Sequence, residues 1–157
     1  MSLTTLLQLE EGLALKAVKD SVGYVIGYGR NVMTRGVSKK ESDYLLGNDV
    51  TDSAAEVRSA FPWSVGLDSA RRGVLEAMTF QMGSGGVATF KKMVSAMRRG
   101  AFLTAADELL DSDYARVQTP ARAKRLAQQL RTGRWVYPGA SAQRKPMASK
   151  GVRRRPR

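Results

Sequence analysis

At 157 residues, 43% hydrophobic and 25% charged, the chain is long enough to bury a core without metals or disulfides. It has no cysteine and no histidine, which excludes disulfides, thiol nucleophiles, Ser–His pairs and imidazole-held zinc, and leaves Asp and Glu for acid–base work. The formal charge of +12, from 26 Lys and Arg against 14 Asp and Glu, is unevenly spread: residues 141–157 hold seven basic residues and no acidic one.

The first nine residues lack the basic flank and apolar core of a cleaved secretory signal, and no apolar run reaches the roughly 20 residues that cross a bilayer. Leu3, Leu6, Leu7 and Leu9 recur at helical spacing behind the potential cap Ser2, which predicts a short helix over 3–10 that Gly12 stops. Glu11 then stands at a helix carboxyl end, where the dipole favours the uncharged form of a carboxyl group and suits it to donate a proton. A solvated helix end with no further role is the simpler reading of Glu10 and Glu11.

From Leu13 to Val32, short runs broken by Gly23, Gly27 and Gly29 predict a small antiparallel sheet. Asp20-Ser21-Val22-Gly23 is its turn, and it leaves Asp20 either as a second functional carboxylate or as a turn former bonding its own backbone. Ser38-Lys39-Lys40-Glu41 is a capping box opening a helix that Pro62 ends. Pro62 to Gly66 reads as a loop, and Asp68 caps a third helix that stops near Gly83.

Val87 to Arg99 and Phe102 to Leu110 follow as short amphipathic helices. Thr119-Pro120 pairs a cap with proline at the first helical position, and the helix it opens stops at Gly133. Arg134, Trp135 and Tyr137 are expected to pack the chain end back on the body. The composition of 141–157 does not pack and predicts a disordered polybasic arm that associates with nucleic acid, anionic lipid or acidic envelope polymers.

Several blocks in order carry a family resemblance: Glu11 to Arg30, then Phe80-Gln81-Met82-Gly83, Gln118-Thr119-Pro120 with Arg122-Ala123-Lys124-Arg125, and Arg131-Thr132-Gly133-Arg134-Trp135. Over about residues 3–137 the chain resembles a phage lysozyme of the T-even type, family 24 of the glycoside hydrolases. That resemblance implies an α+β, mostly helical, two-lobe fold with a polysaccharide cleft. Its domain would span 1–140, with an N-terminal lobe over about 12–38, a connecting helix over about 39–60 and a helical lobe over about 61–137 on which the 3–10 helix packs. The region between Asn31 and Ser38 is shorter than in the T-even enzyme, which implies a trimmed amino-terminal lobe, and the basic arm has no counterpart there.

The resemblance also implies hydrolysis of the β-1,4 bond between N-acetylmuramic acid and N-acetylglucosamine in peptidoglycan, without metal or other cofactor, by a monomer with no obligate protein partner. A chain lacking histidine and cysteine can do this chemistry, since a glycosidase needs one carboxyl to protonate the leaving oxygen and another on the water side. Glu11 matches the family's general acid and Asp20 its second carboxylate. Asn31 and Phe80 match substrate-binding positions, although an aromatic beside Met78 and Met82 is also a plain core residue, and Arg122 matches an arginine that approaches the acid.

Two positions depart from the family. Where it has a water-holding threonine before Ile-Gly, this chain is one residue short and carries Val25, which has no hydroxyl. Three readings follow: the turn absorbs the gap so that Tyr24 or Ser21 supplies a hydroxyl, activity persists at a reduced rate, or the protein binds glycan, envelope or nucleic acid without cutting. Arg30 replaces a histidine, and Asp49 is a candidate partner for it. The resemblance places the protein in the host bacterial cytoplasm, acting on the wall in the periplasm after a holin-type membrane lesion; a virion-associated lysozyme is the alternative.

Overall fold

The computed structural model describes residues 2–21 and 23–139. The predicted arm over 141–157 lies outside them. The chain adopts the mostly helical α+β class, with a helix α1 (Leu3–Glu10), strands β1 (Ala14–Asp20), β2 (Gly23–Gly27) and β3 (Arg30–Asn31), and helices α2 (Lys39–Ala60), α3 (Ser69–Ala88), α4 (Lys91–Arg98), α5 (Phe102–Leu110) and α6 (Pro120–Thr132). It divides into two compact units between Asp49 and Val50, inside α2.

The amino-terminal unit is built from local hydrogen bonds. Ser2 Oγ accepts the Thr5 N–H at 3.2 Å and starts α1. The strands form one antiparallel sheet in the order β1-β2-β3. The Ser38 capping box closes reciprocally, with Glu41 Oε2 accepting the Ser38 N–H at 2.8 Å and Ser38 Oγ accepting the Glu41 N–H at 3.2 Å. No described residue between 2 and 49 is buried, and Leu3, Leu15, Met33 and Tyr44 are among its exposed apolar side chains.

The second unit holds the core. Val57 and Phe61 of α2 and its exit meet Val74, Leu75 and Met78 of α3, Met93 and Met97 of α4, Leu109 of α5 and Leu126 and Leu130 of α6. Burying each of the larger of these side chains contributes about 1.5–3 kcal/mol. Asp68 Oδ1 caps α3 by accepting the Arg71 N–H at 2.9 Å. Arg71 then ties that start to the end of α6, donating from Nε to the Leu130 carbonyl at 2.8 Å while its guanidinium lies 3.9 Å from the Phe102 ring centroid.

Five features differ from the sequence-based expectation. Tyr137 is 74% exposed rather than packed back on the body, and the helix expected over 87–99 begins at Lys91. Pro62–Gly66 is a 3-10 helix rather than a loop. The third helix does not stop at Gly83 but kinks there and resumes as far as Ala88; Gly83 has φ 71° and ψ 163°, a region essentially closed to other residues. Glu56 of α2 takes up the freed donor, its Oε1 accepting the Ser84 N–H at 2.6 Å. Thr119 offers no side-chain cap to α6; its N–H instead closes a π-helical turn, Tyr114–Gln118, on the Tyr114 carbonyl at 2.8 Å.

Candidate active site

Glu11 is the C-cap of α1, with its own N–H bonded to the Leu7 carbonyl at 2.9 Å. Its carboxylate therefore belongs to the negative end of that helix, the position the sequence assigned it. The carboxylate reaches over the Gly27-Tyr28-Gly29 turn: a methyl group at Gly29 would stand 3.4 Å from Glu11 Oε2. Gly29 has φ +78°, so both its backbone and its missing side chain shape the space where Glu11 sits. The sequence showed that glycine only as turn punctuation, because nothing in the residue letters says which side chain crosses it.

Asp20 ends β1 opposite Gly23 across the hairpin. Val18 faces Val25, and Val25 in turn faces Asn31 on β3. Directly opposed residues share a face, and positions two apart along a strand do so too. The register thus brings Asp20, Val18, Val25 and Asn31 onto one face of the sheet. Tyr24, paired with Lys19, belongs to the other face, so the register removes its hydroxyl from the Asp20 side.

The ladder is irregular at one place. Between the pairs Ala14↔Gly27 and Val18↔Val25, β1 advances four residues (14 to 18) and β2 two (27 to 25), and the irregularity lies there rather than at the Asp20–Gly23 turn. A bulge of this kind lengthens one strand locally and lets its partner be shorter.

Asn31 also works as a turn former. Its Oδ1 accepts the N–H groups of Met33 at 2.9 Å and Thr34 at 3.0 Å. Beside it, Arg30 donates from Nη1 to the Gly36 carbonyl at 2.6 Å and from Nη2 to Glu41 Oε1, which fixes β3 to the first turn of α2. The Ser38 backbone N–H and hydroxyl, with smaller help from Arg30, hold the Glu41 carboxyl below its ordinary value. Glu41, rather than the Asp49 that spacing suggested, is the carboxylate seen on Arg30 Nη2.

In the helical unit, Phe80 is 48% exposed on α3 between buried Thr79 and half-buried Met82, so the plain core reading of this aromatic is wrong. Its neighbour Gln81 accepts the Tyr114 hydroxyl at 2.6 Å, joining α3 to the π-helical turn. An extra residue within a helix is a backbone event with no composition signature, and no run of residue letters announces it. Arg122 is half-buried on α6. A groove of about 800 Å³ in this unit is lined by Met82, Phe90, Lys92, Glu108, Tyr114 and Gln118 among others. No cluster of acidic side chains among the described residues has the makings of a metal site.

Comparison with known proteins adds an independent line. Residues 8–131 match the family model described as phage lysozyme. The chain is 30% identical over 162 residues to the pre-baseplate central spike protein Gp5 of Enterobacteria phage T4, covering 85% of this chain and 28% of that protein. It is 29% identical over 163 residues to probable T4-type lysozyme 2 of Dictyostelium discoideum, covering 84% of this chain and 95% of that one.

Proposed function

Because the chain belongs to the phage lysozyme family, we propose that it hydrolyses the β-1,4 bond between N-acetylmuramic acid and N-acetylglucosamine in bacterial peptidoglycan. The observation that carries this reading is a helix-end carboxyl, Glu11, laid over the Gly29 turn of the same sheet whose first hairpin carries Asp20. Glu11 protonates the departing glycosidic oxygen. Asp20 serves the water or the positive centre that develops at the sugar carbon, and no other cofactor takes part. Asn31 and Phe80 are assigned to glycan binding.

Within this reading the enzyme acts as a monomer. It reaches the wall from the host cytoplasm after a holin-type membrane lesion, or as part of the virion, and lyses the cell. The two-lobe division belongs to the same proposal.

A second reading, a protein that binds glycan without cutting, is favoured by one observation: the face that carries Asp20 presents Val25, with no hydroxyl to hold a water. Clearing of purified peptidoglycan separates the two. Wild type is expected to clear it and Glu11→Gln to lose nearly all of that activity while melting normally. Equal clearing by both defeats the assignment of Glu11; binding without clearing by either establishes the non-cutting protein.

A further inference from the structure

The side-chain amide of Asn31 has an accepting end and a donating end, and its surroundings fix which way each points. Its Oδ1 accepts the N–H groups of Met33 and Thr34, and only the oxygen of an amide can meet two backbone donors. The amide nitrogen is therefore turned the other way. It lies against Gly23: a Cβ on that glycine would stand 3.6 Å from Asn31 Nδ2 and 3.7 Å from Met33 Cγ. The glycine leaves open the space beside which the amide nitrogen sits.

That space belongs to the Asp20 side of the sheet. Gly23 is the cross-strand partner of Asp20, and Asn31 is the partner of Val25, two residues further along β2. A side chain on Gly23 would thus have stood on the face that carries Asp20 and Val25. Directly opposed residues in an antiparallel pair place their Cβ atoms about 5 Å apart. A nitrogen seated beside the bare position at Gly23 is consequently within reach of the Asp20 carboxylate. Lys19, the neighbouring charge on β1, is paired with Tyr24 and belongs to the other face.

We propose that Asn31 is a positioning residue for Asp20, anchored through its oxygen in the turn after β3 and directing its N–H groups at the end of the Asp20 hairpin. This rests on the reading of Asp20 as the water-side carboxylate of a glycosidase, and adds a residue that acts through Asp20 rather than on the sugar. An N–H donor is the partner an ionised carboxylate needs, since both of its oxygens only accept. Holding one oxygen leaves the other to face the attacking water or the positive sugar carbon. Glycan contact alone does not account for this orientation, because the acceptor is used inside the turn and the donor side is set against the hairpin.

Asn31→Asp tests the assignment, because a carboxylate keeps the oxygen that closes the turn but replaces the N–H groups with a second negative charge beside Asp20. The full-length variant is expected to melt close to wild type and to hydrolyse purified peptidoglycan with kcat reduced about ten-fold and KM little changed. In NMR spectra its Asp20 carboxyl carbon is expected to titrate at higher pH than in wild type. Asn31→Ser retains a short turn-forming oxygen and adds no charge; it is expected to lose kcat similarly without that displacement. A raised KM with kcat and the Asp20 titration unchanged would make Asn31 a glycan contact only. A lowered melting temperature with the titration unchanged would make it a turn former only. Either result, or an unchanged kcat in Asn31→Ser, overturns the proposal. The NMR titration needs no turnover, so a wild type that fails to clear peptidoglycan would sink the glycosidase reading while the link between Asn31 and Asp20 is still decided by the titration.

Discussion

Val25 has the outline of threonine without its hydroxyl, and it shares a sheet face with Asp20. Replacing it with threonine changes one methyl group to a hydroxyl and leaves the register alone, whereas an inserted residue would slip the ladder and turn every following side chain over. Val25→Thr is therefore expected to raise the turnover of peptidoglycan, on the order of ten-fold if a water-holding hydrogen bond is what the site lacks; the check is kcat measured beside KM. No change would mean that another group, such as Ser21, already holds the water. Gly29 makes the opposite prediction. Gly29→Ala forces a side chain into a left-handed backbone position, costing about 1–3 kcal/mol, and brings a methyl group to 3.4 Å from Glu11 Oε2. Activity is expected to fall more than stability does, as shown by peptidoglycan clearing and a denaturant titration side by side. At this scale the carboxylates were legible because residue type and spacing carry their chemistry. Gly29 was not, because its part depends on which side chain lies across it.

At the scale of elements, the sequence spoke clearly wherever a side chain closes a local loop. Ser2, the Ser38–Glu41 box and Asp68 each announce a helix start within four residues, and each makes the hydrogen bond expected of it. The kink at Gly83 was half legible: the glycine marks a break, but the helix resumes because Glu56, 28 residues earlier, accepts the Ser84 N–H. Long-range capping of this kind leaves no local pattern. It does leave a pH signature. The Ser84 hydroxyl and backbone N–H hold the Glu56 carboxyl below its ordinary value near 4.5. A depressed pKa in the folded chain contributes stability above the unfolded value, and that contribution is lost as pH falls through the folded value. Glu56→Gln is thus expected to melt below wild type at pH 7, with the gap narrowing as pH drops below about 4.5 and closing in stronger acid. A gap that stays constant from pH 7 to pH 3 would show that the charge on Glu56 plays no part in holding the kink.

At the scale of the whole molecule, the buried side chains among the described residues all lie between Ser53 and Leu130. The helical periodicity of that region was readable, and so was its class, since amphipathic stripes must find one another to leave water. What the sequence did not disclose is that no described residue between 2 and 49 is buried, although Leu3, Leu6, Leu7, Leu9, Leu13 and Leu15 stand among them. Leu75, fully buried among Val57, Met78 and Leu109, is expected to lower stability by about 2–5 kcal/mol when cut to alanine. Hydrogen exchange should show the same asymmetry, with amides of β1 and β2 exchanging through local opening and those of α3, α5 and α6 only through global unfolding. Equal protection in both regions would contradict it.

The unburied amino-terminal unit also bears on how ligands of this protein can be found. A small molecule or glycan fragment that settles on Glu11 or Asp20 would stabilise a unit whose described residues bury no side chain. Its binding energy would then appear as slower local exchange and not as a higher melting temperature. Thermal-shift screening of a compound collection would pass over true occupants of these carboxylates, while NMR shifts read at Gly29 and Asp20 would record them.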